Sequence, residues 1–134
     1  MACLVSTVNV MTTTDTSPTR TAVSDFFDRY AAALLARDAR AVAALYAVPA
    51  LILFPGQAIP VSDASQTEGF FASSWGQYEG VDRVDKNVSI MGSGPGTVWV
   101  DVTWTYGDRA SEHFCYQLIE GGGELQIAVL TLLA

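Results

Sequence analysis

The sequence predicts an α+β fold, with helices gathered on one face of a curved sheet. Three observations carry this. Between Pro18 and Gly80, apolar side chains recur every third or fourth position in three stretches, the spacing of amphipathic helices. From Val81 onward the period changes to two, in four runs separated by Gly-Pro-Gly, Tyr-Gly-Asp and Gly-Gly-Gly, the pattern of strands joined by turns. Helices first and an antiparallel meander afterwards is the order of a chain that closes its core by laying helices across one sheet face.

A chain of 134 residues, half of them hydrophobic and 16% charged, suits a single folded core. Fourteen acidic residues against seven basic ones leave a net charge of −7. An acidic surface gains nothing from counterion release, so neither nucleic acid nor an anionic membrane is expected as a partner. No run of 18 apolar residues occurs, so no membrane-spanning helix is predicted. Residues 1–17 read as a disordered leader, with Met11 as an alternative start, and residues 18–134 as one domain. The opening MACLVSTVNV lacks the basic region of a signal peptide. Cys3 falls in that leader and Cys115 in a strand, so no mutual disulfide is expected and a reducing, cytoplasmic setting fits. One histidine and no Cys/His cluster leave a zinc site without ligands. No metal and no cofactor are expected.

Taken in order, Ser17-Pro18 opens the first helix as N-cap and first-turn proline. Its stripe is Val23, Phe26, Phe27, Tyr30, Leu34 and Leu35, and Arg37 suits its C-terminal end. Asp38 caps a second helix, ARAVAALY, whose stripe is Val42, Leu45 and Tyr46. ALILF, ended by Pro55-Gly56, is a buried strand, and QAIPV is an edge strand because Pro60 cannot donate to a ladder. Ser62 or Asp63 caps a third helix, DASQTEGFFASSWGQYEG, with Phe71, Trp75 and Tyr78 on one face; Gly69 and Gly76 weaken its far end. The four strands are VDRVDKNVSIMG, TVWVDVTWTYG, ASEHFCYQLIE and ELQIAVLTLLA, and the Asp82-Arg83-Asp85-Lys86 cluster marks a solvated edge. Both faces of the late strands are largely apolar, and one layer of helices covers only one of them. The other face is therefore expected to meet a second copy, giving a homodimer.

With these elements in place, RYAAALLARDARAVAALYA and the Leu53-Phe54-Pro55-Gly56 turn carry a family likeness. The chain resembles the NTF2-like superfamily over roughly residues 18–134: the cone-shaped fold of ketosteroid isomerases, SnoaL-like polyketide cyclases and scytalone dehydratases. The resemblance implies a sheet curved around three N-terminal helices, with a pocket inside. Tyr30 falls on the oxyanion-hole tyrosine of the steroid isomerases, and Tyr46 on a tyrosine that supports it. The third member of that hydrogen-bond chain is replaced by Phe71. Phe54 stands at the place of the catalytic aspartate base, and Cys115 at that of the protonated aspartate. Steroid isomerisation by the family's mechanism is therefore not expected.

The resemblance leaves the pocket in place. Counted from Cys115 by strand alternation, His113 and Gln117 share its inward face. Gln126 and Leu130 of the last strand, and Val100, Val102 and Trp104 of the strand before, point in with them, while Trp75 helps to wall the cavity. Such a lining suits a flat, mostly apolar molecule with one or two oxygens. Tyr30 would donate a hydrogen bond to a carbonyl or a developing enolate, and His113, the one side chain with an ordinary pKa near neutrality, would be the base. The expected chemistry is cofactor-free isomerisation, dehydration or cyclisation; the alternative is a non-catalytic module that binds a ligand or only dimerises. Asp101 is expected outward, and a slip of one residue would bring it into the pocket as a base. Asp101 with Arg109 is a poor match to the Asp-Arg-Asp set of epoxide hydrolases.

Overall fold

The structure, a computed structural model, describes residues 17–133. The expected leader, with Cys3 and Met11, lies outside the described residues apart from Ser17.

Helix α1 spans Arg20–Leu35. Its cap is Thr19, whose hydroxyl accepts from the Ala22 N–H at 3.0 Å, so the helix starts two residues after the predicted Ser17 cap. The predicted stripe is buried from Val23 to Leu34, while Leu35 turns outward. Asp38 does cap α2, Ala39–Ala43, by accepting from the Ala41 N–H. That helix is shorter than predicted, and Tyr46 leaves it to begin strand β1, Tyr46–Phe54. Val48-Pro49 explains the change: a residue before proline is driven out of the helical region into an extended one.

Strand β2, Gln57–Val61, pairs antiparallel with β1 and forms a sheet edge, as Pro60 requires. Gly56 makes the turn between them at φ 74°, a conformation suited to glycine. Asp63 and Gln66 form a reciprocal capping box on α3, Ala64–Ala72. The predicted single helix to Gly80 breaks here. Ser73 and Ser74 turn their hydroxyls back onto the Phe70 and Phe71 carbonyls, at 2.9 and 2.8 Å, in competition with the helix ladder. A 3-10 turn, Trp75–Tyr78, follows.

The meander comprises β3 (Val84–Gly94), β4 (Thr97–Tyr106), β5 (Glu112–Gly121) and β6 (Glu124–Leu132). The six strands form one open, curved sheet in the order β2-β1-β6-β5-β4-β3, with β1 parallel to β6 and every other pair antiparallel. The fold class is thus the predicted α+β one. Among the described residues no helix is long and apolar enough to cross a membrane.

Register decides which side chains face the helices. Residues directly opposed in an antiparallel pair share a face. Val98 opposes Leu118, Val100 opposes Tyr116 and Val102 opposes Phe114. Since Val98, Val100 and Val102 are fully buried, the inner face of β5 carries Glu112, Phe114, Tyr116 and Leu118. His113, Cys115 and Gln117 lie on the outer face, opposite Thr103, Asp101 and Trp99. The inward placement expected for those three is corrected. A one-residue bulge between Ile127 and Leu130 keeps both of these inward, and leaves Gln126 on the outer face opposite Ile119.

Candidate functional site

Helix α1, the end of α3 with its 3-10 turn, and the inner faces of β4, β5 and β6 enclose a cavity of about 200 Å³. Nine of its fourteen lining residues are aromatic, which makes the wall apolar and flat-sided. Its polar groups are tyrosine hydroxyls, Ser74, Gln77 and one carboxylate, Glu112.

The floor is built from phenols. The Tyr30 and Tyr46 hydroxyls share a hydrogen bond of 2.7 Å. Tyr116 accepts from the Trp104 indole N–H at 2.8 Å, and its ring lies 6.2 Å from that of Tyr30. An indole nitrogen only donates, so the Tyr116 proton points elsewhere. Three phenols hold three protons, and one of these lies between Tyr30 and Tyr46. The other two have no acceptor among the described residues. Burial first, and then neighbouring Tyr46, pushes the pKa of Tyr30 and Tyr116 well above the ordinary phenol range. Both remain neutral donors at any physiological pH.

The mouth differs. Tyr78 and Tyr106 meet edge to face, with rings 5.3 Å apart at 84°. Glu112 stands beside them, half-buried, opposite Trp104 in the ladder. Burial is the main cause of the raised pKa of Tyr78 and Tyr106, and the Glu112 charge adds to it. The Glu112 carboxylate itself has no hydrogen bond or ion pair among the described residues. Outside this mouth a shallower hollow shares Gln77, Tyr78, Tyr106 and Glu112 with the cavity and adds Arg109.

A strap closes one side. Arg37, at the end of α1, donates to the carbonyls of Tyr78 and Val81, the latter at 2.9 Å. Arg109 donates from the opposite side to the carbonyls of Gln77 and Glu79. Both guanidinium groups are thus committed to backbone oxygens.

Of the residues expected from sequence, Tyr30, Phe54, Phe71, Trp104 and Leu130 line the cavity. Tyr46 sits behind Tyr30 as its hydrogen-bond partner, and Trp75 packs 6.3 Å from Phe71 and 5.6 Å from Tyr78 without lining the wall. Val100 and Val102 are buried in the core beneath it. Gln126 is held by the Ala44 and Tyr46 carbonyls at 3.5 Å, outside the cavity. His113 pairs with Asp101 at 3.3 Å on the outer sheet face, next to Cys115, whose thiol is pushed up by burial and then by Asp101. The expected base therefore does not meet Tyr30. Arg109 does not meet Asp101 either, being tied to the strap.

Glu112, Tyr78, Tyr106, Phe114 and Tyr116 are among the lining residues that sequence reasoning missed, with Leu34, Phe70, Ser74 and Gln77. The signal was there: Phe114, Tyr116 and Leu118 form a more apolar alternating set than His113, Cys115 and Gln117.

No protein-family model matches the sequence, and no curated protein matches it. Solved structures do match. Aln2 from a Streptomyces species is 18% identical at a TM-score of 0.65, over 84% of this chain and 87% of that one. A cystatin-like domain from Nostoc punctiforme is 15% identical at a TM-score of 0.66, over 85% and 77%. The designed protein Rd1NTF2_05 is 9% identical at a TM-score of 0.64, over 83% and 96%. At these identities the likeness speaks for architecture alone. Helices before meander, β1 parallel to β6 and these matches together establish that the chain has a cystatin-like, NTF2-like α+β fold.

Proposed function

We propose that the cavity binds a small, flat, mostly apolar molecule carrying one or two oxygen atoms. The observation behind this is the cluster of buried phenols at the floor of an aromatic chamber, whose protons outnumber their acceptors among the described residues. Buried donors are nearly always satisfied, and a ligand oxygen would satisfy these. Size narrows the class. A dry cavity of about 150 Å³ accepts benzene, so about 200 Å³ suits one ring or two fused rings and is too small for a four-ring steroid. The test is binding of 2-naphthol, followed by protein NMR. The native chain should bind it, and Tyr30→Phe should weaken binding about tenfold, the worth of one well-formed hydrogen bond. Equal binding by Tyr30→Phe would remove the phenol from the recognition scheme.

The second reading adds cofactor-free acid–base catalysis: isomerisation, dehydration or cyclisation. Tyr30 remains the donor to a ligand carbonyl. His113 lies on the wrong face for the base, and Phe54 cannot take a proton. Glu112 is the group on the cavity wall that is able to do so, which is the observation favouring this reading.

The outer sheet face is proposed to pair with a second copy of the chain. Trp99 and Met91 are exposed there at 41% and 60%, and Met91 lies over Cys115. Charge on the strands of that face is limited, at its centre, to the Asp101–His113 pair. Sedimentation velocity distinguishes a 14.3 kDa chain from its dimer; a monomer at tens of micromolar would end this proposal. The free Cys115 thiol is in keeping with a reducing, cytoplasmic setting.

A further inference from the structure

We infer that the molecule this cavity takes is a cation: a one- or two-ring aromatic amine, with an oxygen at its inner end and its ammonium group against Glu112. The inference rests on the cavity being the ligand site and goes on to name the ligand's charge. Glu112 is the single charged residue in a wall that is otherwise aromatic, aliphatic or neutral polar. Its carboxylate is half-buried and has no hydrogen-bond or ion-pair partner among the described residues, which leaves it open to a counter-charge. The two arginines nearest the mouth are occupied: Arg37 by the carbonyls of Tyr78 and Val81, Arg109 by those of Gln77 and Glu79. Neither is free to neutralise Glu112.

Three rings line the cavity together with Glu112. Trp104 opposes Glu112 in the ladder, and Tyr106 is stacked on Trp104 at 6.4 Å and 11°. Tyr78 meets Tyr106 edge-on. Aromatic faces with one carboxylate are the recognition chemistry of an organic cation, through the ring quadrupole and the counter-charge together. A carboxylate or phosphate ligand would be repelled by the same group. The chain's net charge of −7 acts in the same direction by drawing cations toward the protein.

Depth fixes the orientation. Tyr30 and Tyr116 are 3% and 1% exposed and lie at the inner end, whereas Glu112 faces both the cavity and the outer hollow. A ligand oxygen is thus received at the floor and the ammonium group at the mouth. Such an ammonium would occupy the Glu112 carboxylate and leave it no access to a reacting proton, so the inference favours a binding role over acid–base catalysis.

Tyramine and tyrosol test this directly. They are nearly the same size, both offer a phenolic oxygen, and only tyramine is cationic at neutral pH. Calorimetric titration at low ionic strength should show tyramine binding about tenfold more tightly than tyrosol, as expected for a partly desolvated ion pair with cation–π support. Glu112→Gln should abolish that advantage, bringing tyramine down to the affinity of tyrosol, and Glu112→Asp should retain part of it. Circular dichroism establishes that both variants are folded. Equal binding of the two probes by the native chain would overturn the cation inference and leave the cavity reading standing. Binding of neither probe by a folded chain would overturn both.

Discussion

Tyr30 and Tyr46 show how much turns on a single hydroxyl. They share one hydrogen bond of 2.7 Å inside the core, and only Tyr30 reaches the cavity. Removing the Tyr46 hydroxyl deletes a buried hydrogen bond, which costs about 1 kcal/mol, and leaves the Tyr30 hydroxyl free to turn to a ligand. Tyr46→Phe should therefore lower stability in urea by about that amount while keeping 2-naphthol affinity within about threefold of the native value. Loss of binding as severe as in Tyr30→Phe would move the recognition role to Tyr46. Tyr30 was legible from its place in the apolar stripe together with the family likeness. Glu112 was not, because a glutamate at a strand start reads as solvated until the opposing residue is known. Its meaning comes from Trp104 across the ladder, and no local pattern contains that pairing.

At the scale of elements, the two departures from expectation have the same origin: local polar groups and proline outcompete periodicity. Tyr46 continues a helical stripe, yet Val48-Pro49 claims the segment for β1. Trp75 and Tyr78 continue the stripe of α3, yet Ser73 and Ser74 end that helix and hand its tail to a strap. What holds the strap comes from far along the chain. Arg37 occupies a left-handed backbone conformation, φ 53°, which aims its side chain at the Tyr78 and Val81 carbonyls. Arg37→Asn keeps a residue that tolerates this conformation but removes the reach. The variant should lose about 1–2 kcal/mol of stability, as expected for charge-assisted bonds to backbone. Its faster hydrogen exchange should be confined to the Gln77 and Val81 amides, which bond to the Ser74 and Tyr78 carbonyls. Unchanged protection there would mean that Arg109 holds the strap without help.

For the whole molecule, the α+β class and most elements were legible because they are set by periodicity and turn residues. The pocket's polar inventory was not, since it depends on register, and a slip of one residue exchanges His113, Cys115 and Gln117 for Glu112, Phe114 and Tyr116. What the final register produces is a core in which all five tyrosines have raised pKa values, burial being the leading cause in each. The sign of the consequence follows from linkage. Below about pH 10, phenols are neutral in both the folded and unfolded chain and contribute no pH dependence. Above it, the unfolded chain ionises first, so stability is lost as pH rises toward the folded-state values. Each tyrosine that stays neutral in the fold then removes up to about 1.4 kcal/mol per pH unit. An alkaline titration should accordingly show tyrosinate absorbance appearing in one cooperative step, coincident with loss of far-ultraviolet circular dichroism. Gradual ionisation near pH 10 with the fold intact would instead mean that water reaches Tyr30 and Tyr116 freely. The phenols at the cavity floor would then be satisfied by solvent, and their claim on a ligand oxygen would lapse.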